Sequence, residues 1–172
     1  PNKDRSQGQY KVESLLSAAS LHIGNTPLKI DNINGILNFT NEKGLHSELI
    51  KGSLWGESLE AKIFQDNNIQ KILLDTSVKP SSLQGLVDFP WADVVSGIIP
   101  LKGTLTLKPL KNKLDKNISL NEKSASTLIL KSDLLDNEIR LPEPFNKKKN
   151  EKRDLALKFH FDSKLTRIES TV

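Results

Sequence analysis

The sequence predicts a mainly β protein: a long, twisted antiparallel meander that forms an open, β-taco-like groove, with a short helical patch. Three observations predict it. Apolar residues recur with a period of two in successive segments, which places them on one face of a strand rather than around a helix. Turn-forming clusters separate those segments. The chain has 172 residues, enough for one domain or a piece of a longer chain, and 36% of them are hydrophobic, which is thin for a compact single core.

The elements follow in order. Residues 1–9 are polar and read as a flexible N-terminal segment, and residues 10–172 read as the groove. Asn34-Gly35 has the composition of a type I′ turn, but Leu37 and Phe39 stay in phase with Gly35, so an in-strand glycine is favoured. Asn41-Glu42-Lys43-Gly44 is a hairpin connection. Leu59, Ala61 and Ile63 then oppose Glu60, Lys62 and Phe64. Asp66-Asn67-Asn68 forms the next turn, and Ile72, Leu74, Thr76 and Val78 alternate with Lys71, Asp75, Ser77 and Lys79.

The helical patch lies near residues 81–95. Ser81 to Val87 follows Pro80 with a capping serine and helical spacing, and Trp91 to Val95 follows Pro90 as one more turn. Leu101, Gly103, Leu105 and Leu107 alternate with Lys102, Thr104, Thr106 and Lys108. Residues 111–123 are Asn/Lys-rich and read as a long loop. Leu128-Ile129-Leu130 has the look of a strand buried on both faces, and Ile139 and Leu141 flank Arg140. Residues 142–153 form a second long loop. The clearest strand is the last: Leu155, Leu157, Phe159 and Phe161 alternate with Ala156, Lys158, His160 and Asp162. Ser163-Lys164 turns the chain, and Thr166–Val172 reads as the start of a strand.

A single sheet must cover its apolar face. The helical patch is too small for that. The remaining solutions are a closed barrel, a sandwich, or a groove that a ligand fills, and only the last gives function directly.

Composition excludes several classes. There is no Cys, so disulfide frameworks, thiolate metal sites and cysteine nucleophiles are absent. There is no Met, and a chain beginning at Pro1 is expected to be a processed or excised piece. No apolar run approaches the ~20 residues that span a bilayer. The three histidines, His22, His46 and His160, are isolated, and no zincin motif, nucleophile elbow, P-loop or dinucleotide fingerprint occurs. Acidic residues are dispersed, with no calcium loop or paired-carboxylate pattern. No enzyme activity and no cofactor are expected. Asn38-Phe39-Thr40 and Asn117-Ile118-Ser119 match a glycosylation sequon and are read as coincidence.

Charge is uneven. Residues 1–100 carry 9 basic and 11 acidic side chains, whereas residues 101–172 carry 16 and 10. The densest basic run is Lys147, Lys148, Lys149, Lys152 and Arg153. Its functional reading is contact with lipid head groups or another polyanion, and its plainer reading is a solvated loop between strands. Nucleic-acid binding needs exposed aromatics among the basic residues. Here Phe159 and Phe161 share a face with leucines, so no nucleic acid is expected. Trp55 reads as ordinary packing at a sheet edge.

Two stretches carry a resemblance. Leu28, Ile33, Gly35, Leu37, Phe39 and Gly44-Leu45 are followed by Leu49, Gly52 and Trp55-Gly56. Ser132-Asp133-Leu134 is followed by Ile139 to Phe145, with Pro142 and Pro144, and then Lys147. Both are similar to the middle region of the YhdP branch of the AsmA-like family, over most of residues 28–145. The S-D-L…L-P-x-P element is the more specific. The family has Gly soon after S-D-L, where Leu135-Asp136-Asn137 stands here, which puts the local turn in question.

The resemblance implies an interior stretch of a long periplasmic chain of Gram-negative bacteria, anchored in the inner membrane outside these residues. It implies repeated β-grooves that move phospholipid towards the outer membrane. The expected partners are phospholipid acyl chains, the remainder of the same chain and, at its ends, the envelope membranes. An edge-strand dimer of the fragment is also expected, because a cut sheet leaves unpaired edges. The candidate lining comprises Leu37, Phe39, Leu101, Leu105, Leu107, Leu155, Leu157, Phe159 and Phe161. Burying one acyl CH₂ there is worth about 0.8 kcal/mol. The alternatives are a structural or adhesion-type β-sandwich, whose apolar faces pack on each other, and a polyanion-binding module using residues 140–153.

Overall fold

A computed structural model describes residues 9–22, 29–83, 93–107, 126–161 and 166–171. The described chain is built almost wholly of β-strands: β1 (Lys11–His22), β2 (Lys29–Thr40), β3 (Gly44–Leu54), β4 (Glu57–Asp66), β5 (Ile69–Val78), β6 (Val95–Ser96), β7 (Ile99–Leu107), β8 (Ser126–Ser132), β9 (Glu138–Ile139), β10 (Leu155–Phe161) and β11 (Thr166–Thr171). Nine of them form one antiparallel sheet in the order β1-β2-β3-β4-β5-β7-β8-β10-β11. The order never returns to β1, so the sheet is an open meander with two edges. This is the predicted class, and it removes the sandwich alternative, which needs two large sheets face to face. β6 and β9 form a separate two-stranded ribbon.

The strand pairing explains the alternation. Leu157 stands opposite Leu130, which stands opposite Gly103, then Leu74, Ala61, Ile50, Gly35 and Leu16. Eight strands thus contribute one cross-strand row, about 34 Å long at ~4.8 Å per strand. A parallel row runs Phe159, Leu128, Leu105, Ile72, Ile63 and Ser47. The opposite face carries Lys131, Lys102, Asp75, Glu60 and Lys51 in register. One face is therefore apolar and the other charged.

Small residues keep the central row flat. A Cβ on Gly103 would lie 2.7 Å from Leu130 Cδ2 and 3.2 Å from Leu74 Cβ. The neighbouring leucines therefore fold over the glycine. Gly35 lies inside β2 with φ +152°, as its phase predicts, and not in a hairpin turn.

The helical patch is smaller than predicted. Pro80–Leu83 forms one 3-10 turn, and residues 84–92 lie outside the described residues. Val95, expected in a helical turn, is instead in β6, paired with Ile139 of β9. The β-branched valine fits an extended backbone, and Gly97 at φ +91° turns the chain into β7. The loop expected at 111–123 and, apart from Gln9, the expected loose segment 1–9 fall outside the described residues.

β1 and β3 were not legible by alternation. β1 shifts register between Leu16 and Ala19 and again between Ala19 and Leu21, and Ala18 has φ +47°. Asn34 organises this bulge: its Oδ1 accepts from Ala18 N at 3.0 Å and its Nδ2 donates to Asn32 O at 2.6 Å. β3 bulges between Ser47 and Ile50. Each bulge inserts a residue and breaks the period of two.

Candidate functional site

The apolar face is the candidate site. Its largest cluster joins Leu54, Leu59, Val78, Ile99, Leu101, Leu105, Leu128, Leu130 and Leu134, with Leu107, Leu155, Leu157, Phe159 and Phe161 packed against it. A smaller cluster around Ile33, Ile50 and Ala61 continues the surface towards β1. The two polar side chains buried in this face return their hydroxyls to the backbone. Ser47 Oγ donates to Ile36 O at 2.6 Å, and Thr76 Oγ1 donates to Ser58 O at 2.8 Å. The face thus offers methyl, methylene and ring surface, and its two buried hydroxyls are already bonded to the backbone.

All nine candidate lining residues lie on strands of this sheet, but they are not equivalent. Leu101 and Leu105 are buried, at 2% and 8% exposure. Leu37, Leu107, Leu155, Leu157, Phe159 and Phe161 are half-buried. Phe39 is exposed and stacks with Tyr10, ring centroids 6.0 Å apart. Phe159 and Phe161 stack nearly parallel, with centroids 6.3 Å apart. The apolar surface is therefore packed at the middle of the strands and accessible towards Phe39 and the β1–β2 side.

One end of the strands is covered. The chain leaves β5 after Val78 and enters β7 at Ile99, and it leaves β8 after Ser132 and enters β10 at Leu155. Both excursions start from the same strand ends, because Val78 pairs with Ile99 and Lys102 pairs with Lys131. Leu134, Val95 and Ile139 from the excursions pack on the apolar cluster. Trp55 joins them from the β3–β4 turn, where Trp55 and Gly56 have φ +55° and +83°, as a primed two-residue turn requires.

The basic run behaves differently from its sequence reading. Lys147 is 2% exposed, and its Nζ donates to Asn137 O at 2.6 Å and Lys148 O at 3.1 Å. It is a structural cation and not a surface contact for head groups. Arg153 is half-buried and donates to Asn146 O at 3.0 Å and Phe145 O at 3.3 Å. Lys152 pairs with Asp154 at 3.3 Å. Lys148 and Lys149 stay exposed. Residues 140–153 carry six basic and two acidic side chains, but Lys147 is buried and Arg153 is turned onto backbone carbonyls. The family-like S-D-L…L-P-x-P element ends on Lys147 and sets it apart in sequence, and the turn that brings it against Ile139 buries it.

Elsewhere the charged face is laced by exposed ion pairs, Lys62–Glu48 at 2.6 Å and Lys51–Glu60 at 3.7 Å among them. It also exposes Leu15, Ile36, Leu49 and Leu73, which strand alternation did not reveal. The carboxyls of Glu48 and Asp31 are held below the usual range by hydrogen bonds from Lys62 and Lys29, respectively. Among the described residues no group of three or more His, Asp or Glu side chains is arranged to hold a metal. No helix among them is long and apolar enough to cross a membrane.

Comparison with known proteins gives one family. The family model described as YhdP protein matches residues 1–172. No curated protein and no solved structure matches the chain.

Proposed function

The chain belongs to the YhdP family, and from that membership we propose that it is a non-enzymatic, lipid-binding stretch of a bridge that carries phospholipid through the periplasm towards the outer membrane. The acyl chains lie against the apolar face, and the head groups remain in water. The observation that carries this reading is the open nine-stranded sheet, whose apolar residues stand in register from β10 to β1. A row running across the strands is a continuous track, and each strand adds one more step of the same chemistry. Transport needs binding that is weak and repeated, which a track provides and a deep pocket does not. Among the described residues the sheet ends at β1 and β11, so the track extends wherever a further strand is added.

The remainder of the same long chain, the inner-membrane anchor and the envelope membranes are the partners this reading implies. Against the polyanion reading stand the burial of Lys147 and the turning of Arg153 onto backbone carbonyls, which leave Lys148, Lys149 and Lys152 as the exposed cations of the run.

Mass spectrometry of lipid co-purified with the folded chain tests the proposal. Phospholipid accompanies the parent. A Leu157→Glu, Phe159→Glu double variant with an unchanged circular dichroism spectrum loses most of it, because a carboxylate placed on the apolar face is costly beside hydrocarbon. Equal lipid in parent and variant would overturn the assignment of this face.

A further inference from the structure

We infer that residues 93–99 and 133–154 form a fixed cap that closes the groove along one rim, so that lipid reaches the apolar face only from the opposite rim and the β1–β2 side. This rests on the lipid-groove reading for its purpose but not for its test.

Three sets of contacts make the cap one unit. β6 and β9 pair through Val95–Ile139 and Ser96–Glu138. Asn137, with no exposed surface, donates through Nδ2 to Ser96 O at 3.0 Å and Ile98 O at 3.2 Å. Arg140 N donates to Val94 O at 2.8 Å, and the Arg140 guanidinium donates to Asp93 O at 3.3 Å. Lys147 then holds the far limb of the 133–154 segment to the near one through Asn137 O, beside backbone hydrogen bonds in both directions between Ile139 and Lys147. The segment is also tied to its own root, since Arg153 N donates to Asp133 O at 2.9 Å.

The cap is seated on the groove. Leu134, buried to 3% exposure, packs with Val95 and Ile139 on the cluster that contains Ile99 and Leu101. Those cap side chains occupy the surface that an acyl chain would otherwise cover. β7 records the result along its length. Ile99, Leu101 and Leu105 are buried, and Leu107, at the far end of the strand, is only half-buried. The buried Lys147 ammonium and the buried Asn137 amide nitrogen both donate to backbone carbonyls, and an arrangement that broke these bonds would leave buried donors unpaired.

The chain has no cysteine, so single cysteines report access directly. Ile99→Cys and Leu107→Cys are labelled with a maleimide in the lipid-free chain. Leu107→Cys reacts readily and Ile99→Cys slowly. Adding Lys147→Met raises the Ile99→Cys rate about tenfold, the change in opening that loss of a buried hydrogen bond produces, and leaves the Leu107→Cys rate unchanged. Asn137→Ala, checked for sheet content by circular dichroism, gives the same pattern if Lys147→Met fails to fold. Equal labelling of the two cysteines in the parent background, or no change at Ile99→Cys in either cap variant, would overturn the cap. Lipid loss in the Leu157→Glu, Phe159→Glu variant speaks only to the groove, so the two readings fail separately.

Discussion

Gly35 shows how much one residue carries in this sheet. Its φ of +152° is a conformation that side chains rarely adopt, and a Cβ there would meet Ile50 Cδ1 at 2.7 Å and Leu49 O at 2.8 Å. The second contact is backbone and cannot rotate away. Gly35→Ala is expected to lower stability by about 2 kcal/mol in urea unfolding, through strain and the forced shift of β3. An unchanged midpoint would show that the bulge absorbs the methyl group. Asp31 makes a second residue-scale case. It accepts from Lys29 Nζ at 2.9 Å and Ser20 Oγ at 2.7 Å, and these bonds, Lys29 first, hold its carboxyl below the usual range. A lowered folded-state value stabilises the fold above the ordinary carboxylate range and is lost as pH falls through the folded value. NMR titration should therefore place the Asp31 midpoint low, and Lys29→Ala should raise it; coincident midpoints would rule out the pairing. Lys147 was the residue least legible in sequence. Composition reads the run of three lysines as a surface; the L-P-x-P element of the resemblance sets Lys147 apart without showing that a turn buries its ammonium.

At the scale of elements, legibility followed the regularity of the ladder. β5, β7 and β10 pair without register shifts on either side, and β4 is regular against β5, so their alternation could be read directly. β3 bulges between Ser47 and Ile50, where the sequence shows Leu49-Ile50 as a pair; β1 shifts register only after Leu16, and its Leu15-Leu16 pair masks the alternation because the two residues face opposite sides of the strand. The same difference predicts local stability. β1 is an edge strand with exposed Val12, Leu15 and Leu21, whereas β7 is paired on both sides and carries Ile99, Leu101 and Leu105 in the core. Hydrogen exchange of the β7 amides should be slower than that of β1 by about a hundredfold or more, because opening β7 disrupts two ladders and the main cluster. Similar rates in the two strands would mean that the sheet opens as a single unit.

The whole molecule is governed by its edges. A barrel would have removed them, and a sandwich would have hidden the apolar face; this meander does neither among its described residues. The alternation, with the family resemblance, made the open sheet legible, but the sequence left the covering of the apolar face undecided, because a leucine that lines a groove and one that packs under a cap have the same period. The structure divides them: Leu101 lies under the cap, and Phe39 lies in the open. Among the described residues β1 is an edge of the sheet, with exposed Val12 and Leu15 on its two faces. Long apolar edges recruit further strands. Sedimentation velocity on the isolated chain should therefore show reversible association at concentrations on the order of 100 μM. Val12→Lys with Leu15→Lys should suppress it, since lysines on an edge strand oppose pairing. Association that survives both lysines would shift attention to β11, and a parent that stays monomeric would show that the bulge at Ala18 already blunts this edge.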